Sequence, residues 1–438
     1  MAPRHRSSGA VFIVCPYIVN GPHRIIDPQA RIEEAKGLAD AIQLDIKGSE
    51  YFKQHTIRPA TFISKGHVEA LEGPLKALEI KVVFIDANIS PVQQRNLEKA
   101  WNCKVIDRTG LILEIFGARA RTAEGRLQVE LAALTYQRSR LVKSWTHLER
   151  QRGGLSTIGG PGETQLELDR RLIDERIGRI KKELEDVKRT RALHRKARKR
   201  VPYPIVALVG YTNAGKSTLF NQLTHADVMA EHMLFATLDP TMRRVRLSSG
   251  REIILSDTVG FISDLPTLLV AAFRATLEEV IEADLILHVR DISHPETESQ
   301  SRDVLKVLKD LNLELIYEER GIEVLNKSDL LTKGNAQQLK THARRATHPS
   351  QCVVSALTGE GIQNLLEKIN VFLANKEKTY VLTLPLSDGK RIAWLYAHGE
   401  VLKREDKENE AVIKVKLSVE NKERFELLER LDVEIMQI

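Results

Sequence analysis

Cysteine is scarce: Cys15, Cys103 and Cys352 are the three in 438 residues, far apart and without a second ligand-like residue at metal spacing. Neither a disulfide framework nor a zinc site is expected, and a reducing cytoplasm fits best. Long apolar runs are lacking too, since no stretch approaches the roughly 18 uninterrupted apolar residues of a membrane span. No membrane insertion is expected. The start, MAPRHRSSGAVFIVCPYIV, sets a short apolar run behind a basic stretch, but Pro16 interrupts the run and no small-residue cleavage site follows. It reads as a first β-strand rather than a secretion signal.

What is present describes a globular chain, with 42% hydrophobic and 29% charged residues. Its length exceeds one ordinary core, so about two to four domains are expected. The net charge of +7 with pI near 9.1 is compatible with a polyanionic partner but modest for such a chain, so local clustering matters more.

From residue 10 to about 118, short apolar strands alternate with helical periodicity. Val11–Val14, Thr61–Ser64, Val82–Ile85 and Val105–Ile106 read as strands, and Arg31–Ala41 and Val68–Leu78 as helices. That alternation predicts a small parallel α/β domain. Leu127, Leu131, Leu134, Leu141, Trp145 and Leu148 then recur at coiled-coil spacing, broken by Arg138 where an apolar residue is due. A second seam runs through Leu166, Ile173, Ile177, Ile180, Leu184 and Val187, and the five glycines between Arg152 and Glu163 break any helix joining the two. An antiparallel helical hairpin with a glycine-rich tip is expected. Residues 188–200 hold eight Lys or Arg and no acid, before Pro202 and Pro204 mark a boundary. The tail reads as a strand (Tyr380–Leu384), a helix (Arg391–His398), two strands around a charged turn and a short helix. The expected fold is thus α/β and multidomain. Residues 1–120 form the N-terminal α/β domain, 121–200 the hairpin arm, 201–374 a P-loop domain with a mostly parallel sheet and helices on both faces, and 375–438 a small α+β domain.

The continuous apolar run Ile205–Val209 leads into Gly210, Tyr211, Thr212, Asn213, Ala214, Gly215, Lys216, Ser217 and Thr218, followed by a helical stretch. This is the P-loop pattern in its strand-to-helix context. Gly210 and Gly215 let the backbone N–H groups face phosphates, Lys216 brings a cation to the β- and γ-phosphates, and the Ser217 hydroxyl suits Mg²⁺. Ile253–Ser256 delivers Asp257, Thr258, Val259 and Gly260, where Asp257 can hold Mg²⁺ through water and the Gly260 N–H can sense a γ-phosphate. Next come Asn326, Lys327, Ser328 and Asp329. The Asp329 carboxylate can accept two hydrogen bonds from guanine N1–H and its 2-amino group, a pair that adenine does not offer. Asn326 would steady the loop, the Lys327 stem would cover the base, and Ser355, Ala356 and Leu357 can present a backbone N–H to guanine O6. Together, and in this order, these motifs predict a Mg²⁺-dependent GTP hydrolase.

Leu234–Thr241 is a polar interruption suited to a mobile switch. Thr237 is the choice for a second Mg²⁺ hydroxyl, with Thr241 the runner-up. Phe261 stands where many GTPases carry a water-orienting Gln, so unaided hydrolysis should be slow. Asn213 is either a helper in holding K⁺ near the phosphates or an ordinary loop-stabilising residue, and equal GTPase rates in K⁺ and Na⁺ would dispose of the first role.

Several segments closely resemble the HflX GTPases, a branch of the translation-factor-related P-loop proteins. They are Val105–Phe116, Glu124–Ala132, Gly159–Arg171, Gly210–Thr218, Phe235–Asp239 and Asp257–Ile262, and the resemblance covers about residues 10–374. It implies GTP contacts at Gly210 to Ser217, Phe235, Ala236, Thr237, Leu238, Asp239, Asp257 to Gly260, Asn326 to Asp329 and Ser355 to Leu357. Mg²⁺ falls to Ser217 and Thr237, while Lys216, Thr237 and Gly260 are the candidate catalytic groups. A hydrophobic residue at the place of Phe261 is shared by the family, so it does not mark a dead enzyme. The resemblance also implies a cytoplasmic protein, expected as a monomer, that binds the large ribosomal subunit and its rRNA, is stimulated by it, and splits stalled or idle ribosomes. A rigid arm with a glycine-rich tip suits entry into a narrow RNA site. The basic run 188–200 suits phosphate contacts, the alternative being a solvated helix face. Aromatic residues near it are few, which disfavours single-strand stacking. Arg152, Arg170 and Arg171 are candidate RNA contacts. The competing readings are a GTP-dependent switch or scaffold whose arm grips a protein, and a GTPase acting on structured RNA away from ribosomes.

Overall fold

The structure is a computed structural model that describes residues 9–19, 27–151, 165–198, 203–225, 234–235, 241–263, 265, 279–311, 313–345, 350–375, 377–418, 421–422, 425–426 and 435–437. Its first sheet is parallel, with strands β1 (Ala10–Ile18), β2 (Asp45–Gln54), β3 (Val82–Ile85) and β4 (Lys104–Asp107) in the order β2-β1-β3-β4. Helices α1 (Pro28–Asp40), α2 (Lys65–Ala77), α3 (Pro91–Trp101) and α4 (Arg108–Arg119) connect or follow the strands. Local chemistry starts them where expected of capped helices. Asp27 accepts from the Gln29 N–H ahead of Pro28, Ser90 and Gln93 form a reciprocal capping box, and Asp107 accepts from the Gly110 N–H.

Two strand assignments change. Thr61–Ser64 is not a strand: Phe62 takes φ +64°, and its backbone exchanges two hydrogen bonds with Arg58 across an isolated bridge, closing a tight loop. The Phe62 ring is buried, which is why the segment is apolar without being extended. In this sheet the strand that was not anticipated is β2, at the edge, whose sequence DIKGSEYFKQ has little apolar alternation because all but two of its residues stay exposed or half-exposed.

Two long helices follow, α5 (Ala123–Gln151) and α6 (Gln165–Arg198). They pack along each other in antiparallel sense, as the pairs Glu130–Arg176 (2.8 Å) and Arg138–Asp174 (2.8 Å) show. Arg138, the break in the first seam, is therefore matched by an acid on the facing helix. Ile177, Ile180 and Leu184 are buried as the second seam requires, but among the described side chains of α5 the most buried apolar ones are Val129 and Ala132, which join the core beneath α4. The glycine-rich tip and Arg152 lie outside the described residues, as do residues 199–200 of the basic run, while the α6 backbone reaches Arg198. None of the described helices is long and apolar enough to cross a membrane.

The second sheet has six strands: β5 (Ile205–Gly210), β6 (Thr241–Arg246), β7 (Glu252–Asp257), β8 (Leu285–Asp291), β9 (Gly321–Asn326) and β10 (Ser350–Val353). Their order is β10-β9-β8-β5-β7-β6, parallel except that β6 runs antiparallel to β7. Helices α7 (Lys216–Thr224), α8 (Thr297–Asp310), α9 (Glu314–Arg320), α10 (Lys333–Arg345) and α11 (Ile362–Asn375) belong to this region. One face of the sheet is covered by Phe220 of α7 and Ile369 of α11, the other by Val304 of α8 and Tyr317 of α9. The second of these cores does not stop at the sheet. It runs on through Tyr211, Phe235 and Phe261 to Leu38, Phe84 and Phe116 of the N-terminal α/β region.

The C-terminal region is an antiparallel sheet, β12-β13-β11-β14, formed by β11 (Glu377–Pro385), β12 (Glu400–Asp406), β13 (Glu410–Ser418) and β14 (Ile435–Gln437), with α12 (Gly389–His398) packed on it. The short β14 was not anticipated, and the expected last helix falls largely outside the described residues.

Candidate functional site

β5 delivers the chain into a tight loop that only glycine can begin and end. Gly210 has φ +153°, and a Cβ there would stand 2.2 Å from the Val289 carbonyl oxygen. Gly215 has φ +91°, and its Cβ would meet Asn326 Nδ2 at 2.3 Å. Between them Tyr211, Thr212 and Ala214 are buried, whereas Asn213 is exposed at φ +60°. Lys216 opens α7 with a buried ammonium that donates to the carbonyls of Gly210 (3.1 Å) and Tyr211 (2.8 Å). Burial pushes its pKa down to about 8, against the opposing pull of the Asp257 carboxylate. The Ser217 hydroxyl donates to Asp257 Oδ2 at 2.8 Å, and Thr218 sits half-buried on the next position.

The far wall is assembled around Asn326. Its Nδ2 donates to the Ala214 carbonyl and its Oδ1 accepts from the Ala356 N–H, each at 2.9 Å, so one amide fastens the P-loop to the Ser355–Leu357 turn. The Ser355 hydroxyl donates to Asp329 Oδ1 at 2.6 Å, and the Ser328 N–H donates to the Val354 carbonyl. Lys327 adopts φ +64° and pairs with Asp291 at 2.7 Å. Asp329 and Leu357 remain exposed at the mouth. Asp291 was not anticipated from sequence, and its place at the end of β8 was the available signal.

The third wall is the strip after β7. The Thr258 hydroxyl donates to the Leu208 carbonyl and Val259 is buried in the core. Gly260 lies directly against the P-loop, since a Cβ on it would come within 2.9 Å of Thr212 Cγ2 and 3.0 Å of Lys216 Nζ. The Phe261 N–H donates to the Gly210 carbonyl (3.1 Å) and the Thr212 N–H donates to the Phe261 carbonyl (2.7 Å), while the Phe261 ring is buried. Phe235 is described, and its ring packs edge-on against Phe116 of α4 with centroids 4.6 Å apart, so its side chain belongs to the core. Ala236, Thr237, Leu238 and Asp239 lie outside the described residues. Thr241, the runner-up to Thr237, begins β6 directly opposite Asp257.

A strand, a glycine-bounded loop and a helix that opens on a buried lysine, beside an Asn-Lys-Ser-Asp wall, define a P-loop GTP-binding domain. Comparison with known proteins carries this further. Family models match in succession: GTP-binding GTPase N-terminal over residues 29–117, GTP-binding GTPase middle region over 119–198, 50S ribosome-binding GTPase over 205–327, and HflX C-terminal domain over 340–435. GTPase HflX of Magnetococcus marinus is 49% identical over 390 residues, 89% of this chain and 88% of that protein. GTPase HflX of Escherichia coli K12 is 45% identical over 332 residues, 76% of each. The chain belongs to the HflX family of GTPases.

Proposed function

We propose that this GTPase binds the large ribosomal subunit through rRNA contacts of its helical arm and dissociates stalled or idle ribosomes, with hydrolysis stimulated by the ribosome. The observation that carries the reading is the match of residues 205–327 to a family described as 50S ribosome-binding GTPase, immediately behind the long α5–α6 pair. Arg170 and Arg171 stand exposed on α6 near the tip, and the basic stretch 188–198 continues the same helix. Such a basic arm adds phosphate contacts without base specificity.

At the site, Gly210 to Thr218 cradle the phosphates, Lys216 neutralises the β- and γ-oxygens, and the Gly260 N–H meets the γ-phosphate. Asn326 to Asp329 and Ser355 to Leu357 hold guanine, with Asp329 accepting from N1–H and the 2-amino group. The donor set fits Mg²⁺: a serine hydroxyl 2.8 Å from a buried carboxylate offers the hard oxygen ligands that this ion takes. Ser217 and Thr237 would hold it, and it would neutralise charge on the β- and γ-phosphates. Asn213, exposed in the loop, is the residue that would help hold K⁺. We further propose that residues 1–120, 121–200, 201–374 and 375–438 act as four units of a cytoplasmic monomer.

Co-sedimentation with purified large subunits, in a non-hydrolysable GTP analogue and over a series of salt concentrations, tests the central claim. Binding is expected at low salt and should fall steeply as salt rises. Failure to bind at low salt overturns it and leaves the reading in which the arm grips a protein.

A further inference from the structure

The Phe261 ring is buried and carries no polar atom with which to orient an attacking water, so hydrolysis must draw that group from elsewhere in the site. Thr212 supplies one. It is the second residue after Gly210 in the P-loop, its side chain is buried, and its Oγ1 is sealed from solvent with no hydrogen-bond partner among the described residues. A buried hydroxyl left unpaired is a standing cost to the fold, and it persists where a ligand or a reaction makes use of it. Ser256, Thr297 and Ser328 also bury hydroxyls without a partner among the described residues, but Thr212 is set apart by what surrounds it.

Gly260 lies directly on it. A Cβ there would come within 2.9 Å of Thr212 Cγ2, 3.0 Å of Thr212 Cα and 3.0 Å of Lys216 Nζ. The side chain is therefore enclosed where the P-loop, the lysine ammonium and the strip after β7 meet, the corner proposed for the γ-phosphate. Its backbone is already committed, because the Thr212 N–H donates to the Phe261 carbonyl at 2.7 Å. Neighbouring polar groups are committed too: Lys216 Nζ donates to the carbonyls of Gly210 and Tyr211, and the Ser217 hydroxyl donates to Asp257 Oδ2. What Thr212 has left to offer is its hydroxyl, a group that can accept one hydrogen bond and donate another at once.

We propose that Thr212 is a catalytic residue of the GTPase. With GTP bound, Oγ1 accepts a hydrogen bond from the attacking water and donates one to a γ-phosphate oxygen, which holds the water in line with the bond to be broken. The water oxygen then bonds to the γ-phosphorus, and the bond from that phosphorus to the β–γ bridging oxygen breaks with its electron pair left on GDP. One water proton passes to another oxygen of the released phosphate, and the other stays on the oxygen that brought it. The threonine neither gains nor loses a proton overall. The inference rests on the reading that puts the γ-phosphate beside Lys216 and Gly260, and it is independent of ribosome binding.

Thr212→Val keeps the branched shape against Gly260 and removes the hydroxyl, whereas Thr212→Ser keeps the hydroxyl and removes the methyl. Lys216→Ala controls for the placing of the phosphate, and all three are made in the full-length chain. Single-turnover GTP hydrolysis is measured alongside the Kd for GDP and thermal unfolding without nucleotide. Thr212→Val should slow hydrolysis by about tenfold or more, a floor below the usual worth of one hydrogen-bonding group at a reacting centre, and leave the GDP Kd within about twofold. Its melting temperature should rise, because a methyl suits the gap better than an unpaired hydroxyl. Thr212→Ser should retain most of the rate. A loss under tenfold in Thr212→Val, an equal loss in Thr212→Ser, or a loss that comes with a lower melting temperature overturns the assignment. A slow Lys216→Ala beside a Thr212→Val near wild type sinks this inference alone, while both near wild type would remove the phosphate reading and the inference with it. Should the valine variant fail to fold, Thr212→Ala against Thr212→Ser makes the same comparison.

Discussion

The two walls of the nucleotide site are built on opposite plans. The base wall is self-contained: Asn326, Ser355, Ala356 and Asp329 hydrogen-bond among themselves and to the P-loop, all within one sheet and its loops. The wall after β7 is not, because Ser263 is held by Glu34 of α1 and Arg108 of α4, and Phe235 by Phe116 of α4, all in the N-terminal α/β region. The difference separates two tasks. Recognition of guanine needs a rigid template, which short-range bonds supply. The strip that we propose to meet the third phosphate is instead tied by hydrogen bonds to the N-terminal α/β region.

Experiments that strike one wall and spare the other sharpen this contrast. The largest effect is expected from Lys216→Ala, which removes the charge at the meeting point of both walls and should lower kcat for GTP by about 100-fold or more. Single-turnover hydrolysis measures this, and a loss under tenfold would place the phosphate charge elsewhere. Asp329→Asn should weaken GTP by roughly 100-fold, the worth of two charge-assisted bonds at about 1.5 kcal/mol each, while leaving any affinity for ATP unchanged. Competition titrations with both nucleotides report it; parallel losses would mean that Asp329 does not read the base.

The smallest effect is on pH dependence. With its pKa pushed down to about 8, Lys216 loses its proton in the nucleotide-free protein as pH rises through that value, whereas phosphates hold the proton in the complex. GDP affinity should therefore be flat below pH 7.5 and fall by about tenfold per pH unit above 8. Lys216→Arg, which stays charged, should flatten the profile. The stability sign is the reverse: between about 8 and the ordinary lysine value the unfolded chain binds the extra proton, so Lys216 makes folding less unfavourable as pH rises.

The sequence disclosed the self-contained wall far better than the coupled one. Gly210 to Ser217, Asn326 to Asp329 and Ser355 to Leu357 are compact motifs whose residue types already state their geometry. Arg108 and Ser263 are 155 residues apart, and Glu34 and Tyr211 177, so nothing in local pattern pairs them. Arg108 does lie within Val105–Phe116, a segment that carries the family resemblance, yet an arginine after a strand gives no hint that it will be buried. Among the strands, β1 and β5 announced themselves by continuous apolar runs. β2 did not, since an edge strand is held by backbone pairing more than by burial. Thr61–Ser64 misled for the converse reason, a buried ring on a closed loop.

The register of β6 against β7 has a mechanical consequence. Thr241, the first residue of β6, sits opposite Asp257, the last of β7, and the hairpin between them is paired along its whole length. Thr237 is only four residues upstream of that rung in sequence. The hairpin is therefore a stiff link: a displacement of Thr241 passes across a single rung to Asp257, which accepts the Ser217 hydroxyl.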